Sequence, residues 1–432
     1  MPFASFVLSM PSAATLNRAA RLLALITPRD PADAVLRREL RPRRDLAPAE
    51  RRDIVRAIAA YFRWLGWLDK EAPPQRRLEA ALALQARFDA NPAAVKPEAL
   101  AARTVPEWIW AELPLAASEP ADPAAEALAK ADWLAPQRWS WLRQLQRDPP
   151  LWIRARQEFA STLPRALGDC EPAHVAGLAE AGPGSAGSTR SRQAPPATTA
   201  LRYKGSRVLF LTREFQQGQF EIQDLASQLV GHACAPQPGE TWWDACAGEG
   251  GKTLHLADLM RNQGLIWASD RSVRRLQILK KRAARAQVFN YRTVAWNGGP
   301  QPPTRTKFDG VLVDAPCSGV GTWQRHPHAR WTMSSADVRE LAARQSQLLE
   351  HVAGSIKPGG CLVYAVCTLT RTETTGVAGA FTAAHPEFAP AAVFPVAGVA
   401  DPGLGSTGPG AEYLWPHVLN ANGMFIALWK RK

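Results

Sequence analysis

Two cysteines stand just past short apolar runs of the kind that form buried strands: Val313-Asp314-Ala315-Pro316-Cys317-Ser318-Gly319 and Val363-Tyr364-Ala365-Val366-Cys367-Thr368. A thiolate is a potent nucleophile, although a single cysteine in such a place more often packs as a small hydrophobe. Two of them at the ends of strands that could be neighbours would open onto one crevice. A third run ends in Asp244-Ala245-Cys246-Ala247-Gly248-Glu249-Gly250-Gly251-Lys252-Thr253 and leads into a helix beginning near Leu254. Glycines let backbone approach a ligand, and a helix N-terminus offers unpaired N–H groups and a positive dipole end. A triphosphate loop needs Gly where Cys246 stands, and the dinucleotide fingerprint G-x-G-x-x-G fails at Thr253. Asp270 follows about 20 residues after the glycine turn, where a carboxylate can accept both hydroxyls of a ribose; capping a helix is its other use. Together these features call for a nucleoside-bearing ligand without pyrophosphate, and S-adenosylmethionine fits.

The residues after Arg213 alternate short apolar runs with helical ones, the runs being 241–247, 265–270, 291–297, 308–314 and 361–368. Such alternation predicts an α/β fold with a mostly parallel sheet covered on both faces, whose ligands bind beyond the carboxyl ends of the strands. Upstream, Leu16, Ala19, Leu23 and Ile26 recur at helical spacing between a capping Ser12 and Pro28. Pro48 opens a second helix with the apolar stripe Ile54, Ile58, Phe62 and Leu65. Its other face carries Arg51, Arg52 and Arg56, next to Arg37, Arg38, Arg41, Arg43 and Arg44. This cluster is either a phosphate-binding surface or a solvated face. Helical patches recur at 124–134 and 139–146, and the Pro/Gly/Ser-rich run at 182–199 reads as a linker.

The 432 residues suit two or three domains, and 46% hydrophobic against 21% charged residues supplies sizeable cores. Three are expected: a helical one over 1–103, a small linking one over 104–212, and the α/β one over 213–432. Lys and Arg exceed Asp and Glu by 52 to 39, so a field of +13 favours polyanionic partners, nucleic acid first. No run approaches the roughly 20 apolar residues of a membrane span, and the opening residues lack a signal peptide's basic flank; a cytoplasmic location is expected. Six cysteines without a C-x-x-C pair, and eight histidines without ligand spacing, predict neither a disulfide framework nor a metal site.

In order along the chain, D-x-C-A-x-x-G-G-K-T, D-A-P-C-S and the second cysteine motif resemble the RsmB/Nop family of RNA cytosine-5 methyltransferases, also called the Sun family. Gln223-Asp224-Leu225-Ala226-Ser227, Arg325-His326-Pro327 with Trp331, and Leu414-Trp415-Pro416-His417 are similar to further family signatures. The resemblance runs from about Pro106 to the C-terminus, and the helical N-terminal segment is similar to the NusB-like domain of the bacterial ribosomal members. It implies a seven-stranded Rossmann-like methyltransferase domain and S-adenosylmethionine held by Cys246, Ala247, Gly248, Glu249, Gly250, Gly251, Lys252, Asp270, Asn297 and Asp314. By family position Cys367 attacks cytosine C6, Cys317 assists loss of the C5 proton and product release, and Asp314 meets N3 and the exocyclic amine.

Four positions depart from the family pattern: Glu249 replaces Pro, Asn297 an acid, Val366 a Thr and Thr374 an Asn. Lys252, Arg325, His326 and Arg330 are candidate RNA contacts, as is the acid-free basic run from Arg271 to Arg285. The target base must leave its stack to reach such a crevice. The expectation is a monomer, without metal or membrane, acting on 16S ribosomal RNA; a tRNA substrate, or a methyltransferase fold kept for RNA binding in ribosome assembly, are the competing readings.

Overall fold

The computed structural model describes residues 10–40, 46–114, 136–173, 199–394 and 410–432. The sequence suggests three consecutive segments, whereas the packing groups the chain into two compact units. One comprises Met1–Pro149 with Thr322–Asp337, the other Pro150–Gly321 with Val338–Lys432.

The first unit is helical. Its elements are α1 (Ala13–Leu23), α2 (Ala32–Leu40), α3 (Pro48–Arg63), α4 (Pro74–Ala90), α5 (Pro97–Arg103) and α6 (Pro136–Leu145). Ser12 caps α1 by accepting from the Thr15 N–H at 3.2 Å, but the helix stops at Leu23, because the N–H groups of Leu25 and Ile26 tighten to the carbonyls of Leu22 and Leu23. Leu16, Ala19, Ile54, Ile58, Trp64, Leu78 and Phe88 form the core. Phe62 and Leu65, expected in its apolar stripe, are only half-buried. Gln85 joins α4 to the end of this unit, accepting from Trp64 Nε1 at 3.0 Å and donating to the Gln146 carbonyl at 3.0 Å. Of the basic cluster, Arg37, Arg38 and Arg56 pair with Asp33, Asp30 and Asp53, which favours a solvated, neutralised face there. Arg41, Arg43 and Arg44, the patch at 124–134 and the linker residues 182–198 lie outside the described residues.

The second unit holds two sheets. The smaller is antiparallel, order β2-β3-β1-β4, with β1 Leu151–Ala155, β2 Cys170–Pro172, β3 Ala200–Tyr203 and β4 Phe220–Ile222. Strands of three to five residues carrying Arg, Pro and Trp give no alternation to read, so this sheet escapes the sequence. The larger contains β5 Thr241–Asp244, β6 Leu265–Asp270, β7 Tyr291–Ala295, β8 Phe308–Asp314, β9 Ile356–Val366, β10 Phe388–Pro390, β11 Ala411–Leu414 and β12 Met424–Arg431. Its order is β10-β12-β9-β8-β5-β6-β7, with β11 added on β12. Strands β5 to β9 pair in parallel, whereas β12 lies antiparallel beside β9. The fold is Rossmann-like, with seven strands along its path and β11 as an eighth.

All five expected strands form, β6 and β8 with the expected ends and the other three with changed ones. β5 stops at Asp244 because Gly248 and Gly250, at φ of +56° and +86°, turn the chain away. β9 begins five residues early, Pro358-Gly359-Gly360 being absorbed as an irregularity opposite Phe308–Gly310. The strand order reverses between β5 and β8, the position where open α/β sheets take ligands.

Helices α7 (Leu225–Cys234), α8 (Gly251–Leu259), α9 (Val273–Arg285), α10 (Ser335–Ala353) and α11 (Thr375–Ala384) accompany this sheet. Buried charges fasten the small sheet to α8 and α9. Glu221 of β4, almost wholly buried, takes Arg282 at 2.9 Å and also Arg285. Arg154 of β1 reaches Asp258 at 2.7 Å, and Arg156 donates to the Ala286 carbonyl at 2.7 Å. Removing one partner of a buried pair strands the other. Glu221→Ala should therefore lower stability in urea titration by about 3–5 kcal/mol. Arg271→Ala, at an exposed position of the same basic run, should change it by less than about 0.5 kcal/mol.

Candidate active site

Parallel pairing of β8 with β9 sets Asp314 opposite Ala365, and the Ala315 N–H still donates to the Ala365 carbonyl at 3.0 Å. Both chains then leave the sheet on the same side, and the Sγ atoms of Cys317 and Cys367 lie 3.3 Å apart. The hydrogen bond donated by Cys317 holds the Cys367 thiol below its ordinary 9.0, against burial, with Lys252 adding to the effect. The same bond, then burial, pushes Cys317 well up. The other four cysteines are all raised by burial, so Cys367 alone is poised toward thiolate.

Lys252, in the first turn of α8, points to Asp314 with Nζ 2.7 Å from Oδ2. Burial disfavours its ammonium, but Asp314, together with Cys367 and Asp244, more than offsets this and raises its pKa. This largely buried lysine, an expected RNA or cofactor contact, holds the carboxylate beside the cysteines.

The glycine turn lies over the ends of β5 and β6. Asp270 accepts from the Gly248 N–H at 3.0 Å and the Ser272 N–H at 2.8 Å, fixing both carboxylate oxygens at the edge of the turn. Thr253 donates to Asp244 Oδ2 at 2.6 Å, while the buried Oδ1 has no partner among the described residues. Burial raises the Asp244 carboxyl to about 7. A Cβ at Gly251 would meet nothing within 4 Å, so open space faces the start of α8. An orphaned acceptor, a helix N-terminus and a positioned carboxylate fit a cationic amino acid joined to a nucleoside. Asp244 was not among the cofactor candidates read from the sequence; its signal was an acid ending an apolar strand with no basic neighbour.

Other expected contacts are placed differently. Asn297 lies beyond the end of β7, exposed, its Oδ1 accepting from the Gly299 N–H at 3.0 Å, so its side chain closes a turn. Cys246 is packed with its thiol raised by burial, and Ala247 is buried. Glu249 is half-exposed, its carbonyl accepting from Arg282 at 3.0 Å. Arg325, His326 and Arg330 belong to the helical unit. Arg325 and His326 are half-exposed there, whereas Arg330, expected at RNA, is 0% exposed and donates to the carbonyls of Trp323 and Leu145. A guanidinium so enclosed is a structural bolt, and the RNA expectation for Arg330 is corrected.

The residue that sequence reasoning passed over most completely is Glu373. Its carboxylate is fully buried and accepts the Ser318 N–H at 2.9 Å, the Ser318 hydroxyl, the Thr370 hydroxyl at 2.8 Å and the Gln345 amide at 3.0 Å. Gln345 also donates to the Pro316 carbonyl at 2.9 Å. Both cysteine loops are thus tied to one carboxylate. Gly321 closes the arrangement, donating to the Cys367 carbonyl at 3.1 Å where a Cβ would strike the Gly423 carbonyl at 2.0 Å.

Glu373→Ala leaves these buried donors unpaired, at about 1–3 kcal/mol each. The expected outcome is a stability loss above about 3 kcal/mol in denaturant titration, with slower alkylation of Cys367 at neutral pH as Cys317 drifts away.

A sequence profile of the family described as 16S rRNA methyltransferase RsmB/F matches residues 232–430. A probable ribosomal RNA small subunit methyltransferase B of Bacillus subtilis is 34% identical over 232 residues, 51% of this chain and 50% of that protein. A putative methyltransferase of Mycobacterium tuberculosis is 33% identical over 331 residues, 68% of each chain. The match spans about half the length of the B. subtilis protein. Among solved structures, that of PH0851 aligns at a TM-score of 0.66 over 98% of this chain and 100% of its own, at 22% identity. A methyltransferase homologue from Pyrococcus horikoshii aligns at 0.54 over 71% and 95%, at 24% identity. With its motifs in order on this fold, the chain belongs to the RsmB/Nop/Sun family of S-adenosylmethionine-dependent methyltransferases.

Proposed function

We propose that this protein methylates C5 of a cytosine in 16S ribosomal RNA, through a covalent bond between Cys367 and C6 of the base. The observation carrying the reading is the thiol pair at 3.3 Å, with only Cys367 held below its ordinary value. S-adenosylmethionine supplies an electrophilic methyl group, for which C5 of an unactivated cytosine is too poor a nucleophile. Cys367 adds to C6 as thiolate, and electron density moves through the ring to C5. Asp314, oriented by Lys252, faces N3 and the exocyclic amine and stabilises the charge shifted onto them. Once C5 carries the methyl, Cys317 assists removal of its proton; the C5–C6 double bond re-forms and Cys367 leaves. The raised thiol of Cys317 suits a group protonated while Cys367 attacks.

Asp270 and the Oδ1 of Asp244, which has no partner among the described residues, are the acceptors for the donor's ribose hydroxyls and ammonium. Ribosomal RNA is favoured over tRNA because relatives such as the B. subtilis protein carry small-subunit ribosomal RNA in their descriptions.

Incubated with unmodified 16S RNA and S-adenosylmethionine, wild type should form 5-methylcytosine and Cys367→Ala should form neither product nor adduct. Cys317→Ala should accumulate a protein–RNA adduct that survives a denaturing gel. Labelling of tRNA alone would overturn the ribosomal assignment, and an adduct in Cys367→Ala would overturn the nucleophile.

The pH dependence has a definite sign. Cys367 acts as thiolate, so adduct formation rises with pH through its pKa, with the midpoint below the ordinary thiol value of 9.0. In Cys317→Ala the lowering hydrogen bond is gone, and the rise should move to higher pH in a rapid-quench adduct assay.

A further inference from the structure

The basic run from Arg271 to Arg285 is only partly explained by the fold. Arg275 pairs with Asp270 at 3.4 Å, and Arg282 and Arg285 are held by Glu221. Arg271, Arg274, Lys280 and Lys281 remain exposed, and the run from Arg271 to Arg285 contains no acid. Four cations without an ion pair among the described residues, within about 15 Å along the chain, repel one another without return unless an anion covers them. The run begins at the carboxyl end of β6, on the ligand edge of the sheet, two strands or roughly 10 Å from β8 and its Cys317 loop.

At the other end of α9 the surface becomes aromatic. Arg285 stacks 3.8 Å over the Phe215 ring, and Phe210 meets Phe215 edge-on at 5.1 Å with 57% of its own surface exposed. Phe289, just past the helix, is 75% exposed. Rings this exposed cost solvation unless something stacks on them, and cations followed by free rings are what single-stranded nucleic acid uses: phosphates on the charges, bases on the rings.

We propose that the exposed side of α9, with Phe210 and Phe289, is a track for single-stranded RNA flanking the target base, leading from the catalytic edge. The inference rests on the RNA-methyltransferase reading and adds to it a path and a substrate form. Arg271, Arg274, Lys280 and Lys281 take backbone phosphates; Phe210 and Phe289 stack bases without reading sequence.

The test uses the full chain and a fluorescein-labelled, unstructured pyrimidine-rich RNA, with anisotropy recorded across a salt series. For Arg271→Ala/Arg274→Ala/Lys280→Ala/Lys281→Ala, the slope of log Kd against log salt should fall by up to about 2.8, at roughly 0.7 per phosphate contact. Phe210→Ala and Phe289→Ala should each weaken binding about tenfold with the slope unchanged. Calorimetric affinity for S-adenosylmethionine and the urea midpoint should stay at wild-type values in all three. An unchanged slope in the charge variant, or wild-type binding by both ring variants, overturns the track. Binding is read without methyl transfer, so the two readings fail separately: a wild type that binds RNA but never methylates it sinks the reaction and leaves the track.

Discussion

The register of one parallel strand pair governs the site. With Asp314 opposite Ala365, Cys317 and Cys367 sit three and two residues beyond a matched pair, and their thiols meet. A shift of one residue between β8 and β9 would turn every side chain of one strand to the other face. That register is fixed by burial on both sides of the sheet, where Val311, Leu312, Val313, Leu362, Val363 and Tyr364 are all fully enclosed. Energy spent on packing the core thus becomes precision at the thiols.

Charge is handled by the same economy of position. Lys252 and Asp314 neutralise each other within reach of Cys367, while the Glu373 carboxylate is satisfied by hydroxyl and N–H donors alone. A cation at Glu373 would draw the loops toward itself; with neutral donors there, the hydrogen bond from Cys317 and the Lys252 charge hold the Cys367 thiol down against burial and the carboxylates of Asp314 and Glu373. The distinction separates two jobs that a motif cannot separate, since a lysine, two acids and two cysteines in a sequence carry no indication of which pairs with which.

The chemistry-bearing residues were legible because they stand at strand ends, where a period of alternation breaks and small residues follow. The parallel sheet was legible for the same reason: near-continuous apolar runs such as Phe308–Asp314 leave little choice of fold. The four-stranded sheet was not, because Cys170–Pro172 and Phe220–Ile222 are too short to show a period and owe their place to tertiary pairing. Arg330 misled because an arginine beside tryptophans reads as a nucleic-acid contact until burial is known. Glu373 escaped because its donors come from Ser318, Gln345 and Thr370, up to 55 residues away.

The departures from the family pattern bear on binding more than on reaction. Val366 is fully buried in β9 opposite Phe425, so an apolar side chain there joins the core and its loss of a hydroxyl removes nothing from the thiols. Thr374 takes up its position with its hydroxyl 2.6 Å from the Thr370 carbonyl and 2.5 Å from the Tyr413 hydroxyl, which keeps the loop after Cys367 anchored to the last strands. Asn297 spends its side-chain oxygen on a turn, and Glu249 brings a carboxylate to the glycine loop. Asn297 follows β7, and Glu249 follows β5 with its carbonyl accepting from Arg282 of α9. Two of the four departures, Val366 and Thr374, thus stand beside the thiols, where packing and a hydroxyl bond absorb them, and the Cys317, Cys367, Asp314 and Lys252 arrangement keeps its geometry despite them.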